Sequence, residues 1–148
     1  ACIDACRLFA SILFNAFSGM DKERVLFDHD VNTVQSPAIR EIASGAYRNK
    51  TEDRTQGSGY VVKSLEAALW CFYTTDSFRA AVLKAANLGD DADTTAAICG
   101  QMTGAYYGFH KIPGIWTNKI AKNVGLIEYS RKLYQAQESS INRVEKRF

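Results

Sequence analysis

The sequence lacks an excess of charge of either sign, and this limits the partners that it can have. Lysine and arginine number 18 against 16 aspartates and glutamates, which gives a net charge of +2 at neutral pH. Proteins that bind nucleic acid or anionic membranes usually carry a clear basic excess. The densest basic cluster, Arg143, Lys146 and Arg147, is interpreted as the solvated end of a helix. We therefore expect neither nucleic acid nor a membrane as the main partner.

Long apolar runs and paired metal-binding cysteines are also missing. No stretch approaches the uncharged run that a membrane span needs, and no signal peptide is visible. The 4 cysteines form no CxxC pair, and neither histidine stands at zinc-finger spacing from them. Cys71 and Cys99 lie in apolar segments and are interpreted as small buried residues, whereas Cys2 and Cys6 can share a helix face. This cysteine usage favours a reducing, cytoplasmic setting.

Apolar residues recur at three- and four-residue spacing along most of the 148 residues, which predicts an all-α fold in a single domain, 1–148. The first residues already have the pattern of a helix interior, without a cap or an initial methionine, which favours a fragment of a longer protein. The predicted helices span residues 3–18, 22–26, 38–47, 63–73, 77–87, 90–108, 117–122 and 126 onward. The apolar stripe of the first helix consists of Ile3, Cys6, Phe9, Ala10, Leu13, Phe14 and Phe17.

Helix ends are marked by residues with known backbone preferences. Ser36 followed by proline predicts the start of the third helix, because proline at the first helical position gives up no needed N–H group. Residues 48–59 are charged and end in glycines, so they are predicted to form a loop. Thr75 or Asp76 is the predicted cap of the helix over 77–87.

The segment 90–108, DDADTTAAICGQMTGAYYG, combines an acidic start with a nearly uncharged helix. Gly100, Gly104 and Gly108 fall on one face at four-residue steps, and each costs a helix about 1 kcal/mol relative to alanine. Such a stripe predicts that another backbone packs very close to it. We therefore expect this to be the most buried helix of the fold.

Asp91 and Asp93 at the start of this segment are candidate metal ligands. Two residues apart is about 200° around a regular helix, so their carboxylates can converge only at a helix start. Gly89 provides the bend, and Thr94 adds a hydroxyl to a group of hard oxygen donors that magnesium, manganese or calcium prefer. The alternative is that the aspartates only cap the helix and oppose its dipole. Crowded carboxylates before an uncharged helix favour a cation, which would neutralise them.

Three segments in order resemble one protein family. The run NLGDDADTTAAICGQMTGAYYG, residues 87–108, closely resembles the C-terminal signature of the ADP-ribosylglycohydrolase family. The stretch ACRLFASIL resembles the helix after that family's Thr-His signature, and residues 57–78, GSGYVVKSLEAALWCFYTTDSF, resemble the segment upstream of its metal motif. The resemblance covers most of residues 4–116 and implies a compact all-α domain, present here as its C-terminal half.

The resemblance also implies a cofactor and a reaction. It implies two divalent cations, Mg²⁺ or Mn²⁺, with ligands at Asp91, Asp93 and Thr94. Asp90 would at most contact these ligands and would not bind a cation itself. Asp91 and Asp93 would then be the catalytic residues. The implied reaction is hydrolysis of the N- or O-glycosidic bond between ADP-ribose and a protein side chain or a small molecule. In such sites the metals anchor the ribose hydroxyls and activate the attacking water.

A loop and a carboxylate near it are the remaining candidates. Ser58, Gly59 and Tyr60 match a family loop that lines the ADP-ribose cleft, although Tyr60 could equally be a core aromatic residue at a helix entrance. Glu66 is interpreted as a helix-face or structural carboxylate.

The resemblance leaves part of the family's site unaccounted for. A second acidic metal motif and the Thr-His signature belong to the family's N-terminal half, and neither is found here. The expected partner is therefore that half, as a separate chain or a removed segment, besides an ADP-ribosylated protein or small molecule. Two alternatives stay open: a module that binds ADP-ribose without cleaving it, and a structural helical domain whose DDAD run only caps a helix.

Overall fold

The computed structural model describes the backbone of residues 1–145 and the side chains of residues 1–136. Every regular element in this part of the chain is helical, so the predicted all-α class is confirmed. None of these helices is long and apolar enough to cross a bilayer. The side chains of Arg143, Lys146 and Arg147, the predicted solvated basic end, lie outside the described residues.

The chain divides into two compact units, Ala1–Ile112 and a second from Pro113 onward. The first contains α1 (Cys2–Phe17), α2 (Lys22–Phe27), α3 (Pro37–Ala43), α4 (Val61–Tyr73), α5 (Phe78–Asn87) and α6 (Ala92–Tyr107), and the second contains α7 (Gly114–Thr117) and α8 (Asn123–Glu145). Short 3₁₀ turns cover Val31–Thr33, Ala46–Asn49, Glu52–Arg54 and Phe109–Lys111. That the two units form one domain stays a prediction.

Most predicted helices are present, with shifted ends. The third helix starts at Pro37, one residue before the predicted range 38–47 and at the proline that marks its start. It ends early, at Ala43, because Gly45 adopts a left-handed φ of 82° and a 3₁₀ turn follows. Ser77 caps α5, since its Oγ accepts a hydrogen bond from the Ala80 amide at 3.1 Å, so the predicted Thr75 or Asp76 cap is wrong.

The predicted short helix over 117–122 is also misplaced. The helical turn is α7, Gly114–Thr117, and it starts directly after Pro113. The fixed φ of proline makes it suitable immediately before or inside a first helical turn. The last helix begins three residues earlier than predicted, at Asn123.

The most buried helix of the first unit is α4, not α6 as the sequence predicts. Ten of the thirteen residues of α4 are buried, among them Leu69, Cys71 and Phe72, whereas four residues of α6 are buried. The helix α4 packs against α1, α3, α5 and α6, so it has neighbours on several sides. Low charge along α6 therefore does not by itself place that helix at the centre.

The glycines of α6 do not meet another backbone. A methyl group built on Gly100 would lie 3.9 Å from Val82 Cγ2, and one on Gly104 would lie 3.8 Å from Phe78 Cε2. Both are ordinary contacts with side chains of α5, the helix against which α6 packs most extensively. Gly108 ends the helix with a positive φ of 84°. The prediction of a closely packed backbone is wrong because α6 meets side chains there.

This geometry predicts that Gly104→Ala stabilises the 148-residue chain. Alanine restricts the unfolded backbone and favours the helix, so the free energy of unfolding should rise by up to about 1 kcal/mol. Gly108→Ala is the matched control, because a side chain at its positive φ is strained and should lower stability by about 1–2 kcal/mol. Thermal denaturation of both variants checks this. Equal destabilisation by the two substitutions would contradict the described packing of α6.

The buried face of α1 lies opposite the apolar stripe that the sequence predicts to be buried, so that prediction is wrong. Ile3, Phe14 and Phe17 are 69%, 69% and 76% exposed. The buried positions are Asp4, Ala5, Leu8, Ile12, Asn15 and Ala16. Because α1 is apolar on both sides, periodicity cannot select the inner face.

The polar residues on that buried face are hydrogen-bonded. The Asp4 carboxylate accepts a bond from the Ser36 amide at 2.8 Å, and Asn15 Nδ2 donates to the Asp28 carbonyl at 3.0 Å. Paired polar groups can be buried without a large penalty. These bonds hold α1 against the segments around α2 and α3.

The cysteines behave as their environments predict. Cys71 and Cys99 are fully buried, and Cys2 and Cys6 are exposed and unpaired. Burial raises the pKa of the Cys71 thiol to about 12, and it also raises the pKa of Cys99. Both buried thiols are therefore neutral and unreactive, which confirms their interpretation as small core residues.

Candidate functional site

The acidic segment forms the start of α6. Gly89 and Asp90 adopt positive φ angles of 75° and 53°, and Asp91 follows as the residue before the first helical turn. The bend predicted at Gly89 is thus present, and it includes Asp90 as well. A positive φ at an aspartate is uncommon and is tolerated because its short side chain can interact with the local backbone. The bend lets Asp91 and Asp93 approach each other at the helix start.

The Asp91 side chain does not cap the helix. At other helices the equivalent side chain does: the Asp21 carboxylate accepts a hydrogen bond from the Arg24 amide at 3.0 Å, and Ser77 caps α5 in the same way. Asp91 makes no such bond. Capping therefore does not account for Asp91, although it is the residue in the capping position.

Asp93 is an exposed carboxylate next to Asp91. A hydrogen bond with the Asp91 carboxyl, and then bonds from the Thr94 and Asp93 backbone amides, lower the pKa of Asp93. Asp93 is therefore ionised at neutral pH, with the Asp91 carboxyl group beside it. The pair offers a cation two carboxylates at one point, with the exposed Thr94 next in the chain.

A glycine-containing loop lies directly against this helix start. A methyl group built on Gly57 would lie 2.8 Å from Thr95 Oγ1 and 3.3 Å from the Gly89 carbonyl oxygen, and one on Gly59 would lie 3.3 Å from Asp91 Oδ2. The absence of side chains at these two glycines allows the close approach. The structure thus brings the predicted substrate loop beside Asp91.

The side chains of the loop are partly available. Ser58 is half-buried and its Oγ accepts a hydrogen bond from the Tyr60 amide at 3.3 Å. Tyr60 is 57% exposed at the residue before α4, so it is not a core aromatic residue in this chain. The alternative interpretation of Tyr60 is therefore wrong, and its role in substrate binding stays a prediction.

Thr95 and Gly57 are the supporting residues that the sequence interpretation missed. Thr95 is fully buried, and its Oγ1 donates a hydrogen bond to the Asp91 carbonyl oxygen at 3.1 Å. It thus fixes the backbone of Asp91 from the inner side while Thr94 faces outward. The sequence does contain a second threonine after Asp93 and a glycine on each side of Ser58. Only the fold shows that Gly57 contacts Thr95.

Gly57→Ala is expected to destabilise the chain by about 1–3 kcal/mol, because the new methyl group overlaps a buried, hydrogen-bonded hydroxyl. Urea denaturation measures the effect. Thr95→Ala removes the Oγ1 that is in the way, so the double variant should be more stable than the sum of the two single losses. Strict additivity would show that the two residues do not touch.

The other end of the loop is fixed to α4 by an ion pair. Lys50 Nζ lies 2.6 Å from Glu66 Oε1, and Lys63 Nζ lies 3.8 Å from Glu66 Oε2. Trp70 Nε1 donates a hydrogen bond to the Lys50 carbonyl at 2.9 Å. Glu66 is nearly buried, so its interpretation as a structural carboxylate is confirmed.

The described residues fit a divalent cation only as part of a ligand set. Asp91, Asp93 and Thr94 supply hard oxygen atoms, the chemistry that magnesium or manganese prefers. Within the described part of the chain, no group of three or more histidine, cysteine, aspartate or glutamate side chains is placed to hold a metal ion. Because magnesium takes six ligands, the remaining donors would come from water, substrate or other protein segments.

The described part of the chain thus combines helices only with an acidic helix start beside a glycine-containing loop. The sequence profile of the ADP-ribosylglycohydrolase family matches residues 1–143. The chain belongs to the ADP-ribosylglycohydrolase family, whose members are generally metal-dependent.

The similar proteins are longer than this chain. ADP-ribosylarginine hydrolase Tri1 of Pseudomonas putida is 39% identical over 132 residues, which are 89% of this chain and 35% of that protein. Tri1 of Serratia proteamaculans is 37% identical, over 88% of this chain and 35% of that protein. A solved structure described as an ADP-ribosylglycohydrolase-related protein complex has a TM-score of 0.74 and 35% identity, over 82% of this chain and 42% of that one. The chain thus spans about a third of the curated relatives and part of the family's full-length domain.

Proposed function

We propose that this chain supplies part of a metal-dependent active site that hydrolyses the glycosidic bond between ADP-ribose and a protein side chain or small molecule. The observation that carries the proposal is the position of the Asp91 carboxylate. It makes no capping hydrogen bond to α6, and it lies beside Asp93 and next to the loop at Gly59. Family membership supplies the class of reaction. Two curated relatives are ADP-ribosylarginine hydrolases, so arginine-linked ADP-ribose is the first substrate to assay.

The proposed roles follow from the side chains. Asp91, Asp93 and the Thr94 hydroxyl would hold two divalent cations, Mg²⁺ or Mn²⁺, together with donors from outside the described residues. When bound, such cations anchor ribose hydroxyls and make a bound water more acidic. Asp91 and Asp93 are the catalytic residues of the proposal because their carboxylates would contact the cations that activate the water.

The loop would hold the substrate. The Ser58 hydroxyl and the exposed Tyr60 ring offer a hydrogen-bonding group and an aromatic surface, and Gly59 leaves room beside Asp91. Anchors at Glu66 and Thr95 fix the loop before substrate arrives, which lowers the ordering cost of binding.

The four unpaired cysteines fit a reducing compartment, and we propose the cytoplasm.

Binding without cleavage is the second candidate function. It is favoured for the chain by itself, because the described residues bring together two neighbouring carboxylates and no larger cluster. Calorimetric binding of ADP-ribose without any release from an ADP-ribosylated substrate, in the presence of the rest of the family domain, would identify this alternative.

The test compares the 148-residue chain alone with the same chain co-expressed with the part of the Pseudomonas putida relative that it does not span. We expect no turnover of ADP-ribosylarginine by the chain alone, and release of ADP-ribose by the pair that requires Mg²⁺ or Mn²⁺. Chromatographic quantification of ADP-ribose, with and without EDTA, measures it. Full turnover by the chain alone, or turnover that EDTA does not affect, would contradict the proposal.

A further inference from the structure

Two fully buried threonines of α6 make the same kind of hydrogen bond at different places on the helix. Thr103 Oγ1 donates to the Cys99 carbonyl at 2.7 Å, and Thr95 Oγ1 donates to the Asp91 carbonyl at 3.1 Å. A bond from a threonine hydroxyl to the carbonyl four residues earlier is common inside helices. Thr95 differs from Thr103 in its acceptor, because Asp91 precedes the first helical turn and belongs to the acidic pair.

The backbone at Asp91 is held through its carbonyl group and not through its side chain. Asp90 before it has a positive φ of 53°, and such a conformation persists at a residue other than glycine only when neighbouring groups hold it. The Asp91 carboxylate makes no capping bond that could do so. The Asp91 carbonyl accepts two hydrogen bonds from Thr95, one from its amide and one from its hydroxyl, each at 3.1 Å. Thr95 therefore fixes the bend from which the acidic pair projects.

The loop before α4 covers this arrangement. Gly57 is buried, and a methyl group built on it would lie 2.8 Å from Thr95 Oγ1 and 3.3 Å from the Gly89 carbonyl oxygen. The loop backbone thus lies against both the hydroxyl and the residue that starts the bend. Because Thr95 is fully buried, water does not replace its hydrogen bond when the hydroxyl is removed.

We propose that Thr95 is a positioning residue of the metal centre, whose hydroxyl orients Asp91 so that the Asp91 carboxylate is available to a cation. The role rests on the proposed function, because Asp91 is a metal ligand only in that proposal. Thr94 would bind the cation itself, whereas Thr95 acts through the Asp91 backbone and does not touch the cation. Loss of a group that orients a metal ligand typically weakens metal binding about 10–100-fold.

The test compares Thr95→Val with Thr103→Val. Valine keeps the branched shape of threonine and removes the hydroxyl donor. Thr103 is the matched control because it is equally buried, donates the same kind of bond and lies about 12 Å further along the helix axis. Both variants should lose a similar amount of stability in urea denaturation, so a purely structural role would not separate them.

Binding of Mn²⁺ alone, without substrate, is followed by the electron paramagnetic resonance signal of the free ion. The protein is the chain paired with the part of the Pseudomonas putida relative that it does not span, or joined to that part in one polypeptide. Thr95→Val is expected to weaken Mn²⁺ binding at least about tenfold, and Thr103→Val should leave it unchanged. Thr95→Ser keeps the hydroxyl and should bind Mn²⁺ within about threefold of wild type.

A second measurement uses the 148-residue chain without metal. The amide of residue 95 donates to the same Asp91 carbonyl, so its protection from hydrogen exchange reports how firmly the helix start is held. Thr95→Val should lower this protection at least about tenfold, and Thr103→Val should not change it.

Wild-type Mn²⁺ affinity in Thr95→Val would overturn the positioning role of Thr95, and so would equal weakening by the two valine variants. Unchanged protection of the residue-95 amide, or a loss of Mn²⁺ binding in Thr95→Ser as large as in Thr95→Val, would overturn it as well. The expected differences in Mn²⁺ binding without any hydrolysis would support the positioning role and refute the proposed hydrolytic function. A wild-type protein that binds no Mn²⁺ would refute both.

Discussion

Asp93→Asn is expected to reduce metal-dependent release of ADP-ribose by at least about 100-fold in the complemented protein. Loss of groups that merely orient metal ligands already costs about 10–100-fold, so loss of a ligand charge should cost at least that much. Asparagine keeps the size and a carbonyl acceptor but removes the charge that attracts the cation. Because hydrogen bonding with Asp91 and the backbone amides lowers the pKa of Asp93, wild-type Asp93 carries that charge throughout the neutral range.

The matched control for this variant is Asp90→Asn. Asp90 belongs to the same acidic run, it is exposed, and its positive φ of 53° suits asparagine at least as well. Activity within about twofold of wild type is expected, since Asp90 is not among the proposed ligands. Thermal denaturation of both variants should show small changes, because Asp93 is exposed. Wild-type hydrolysis by Asp93→Asn would mean that the metal assignment is wrong.

Phe72→Ala is expected to lower the free energy of unfolding of the 148-residue chain by about 3–5 kcal/mol. Phe72 is fully buried on α4, and its ring packs edge-on against Tyr106 at 5.2 Å and Tyr107 at 6.1 Å between centroids. Lys22 Nζ lies over the same ring at 4.9 Å from its centroid. Truncation leaves a cavity and removes contacts between α4 and α6 at once.

Urea denaturation of wild type and variant, analysed with the same dependence of unfolding free energy on urea concentration, measures the loss of stability in Phe72→Ala. Phe14→Ala is the control variant. Phe14 is the same residue type on α1 but is 69% exposed, so its truncation should change stability by no more than about 0.5 kcal/mol. Comparable losses for Phe72→Ala and Phe14→Ala would show that the exposed face of α1 is buried in solution by something else.

The start of α6 could be predicted because its signals are local. Gly89, the aspartates and the uncharged run that follows lie in one continuous segment, and the positive φ of Gly89 agrees with the expected bend. The contact of Gly57 with Thr95 could not be predicted, since it joins residues far apart in sequence and depends on how α4 and α6 pack. Helix propensity and spacing carry no information about such distances.

The inner face of α1 shows why periodicity alone can mislead. Both sides of this helix are apolar, and the side with larger residues is the exposed one. The choice between the two sides is made by tertiary contacts, including the hydrogen bonds of Asp4 and Asn15. In the same way, Ser77 rather than Thr75 or Asp76 caps α5, because several neighbouring polar residues compete for one position.

The loop before α4 is held at two points and exposed between them. At the start of the loop, Lys50 forms an ion pair with Glu66, and near its end Gly57 packs against Thr95. The turn Glu52–Arg54 between these two anchors is exposed to solvent. Length changes at this turn would therefore leave both anchors in place, since surface insertions add little to the entropy of loop closure. A changed sequence or an attached fluorophore at this turn would likewise leave Lys50 and Gly57 in place, because the turn is exposed and lies between these two residues in the chain.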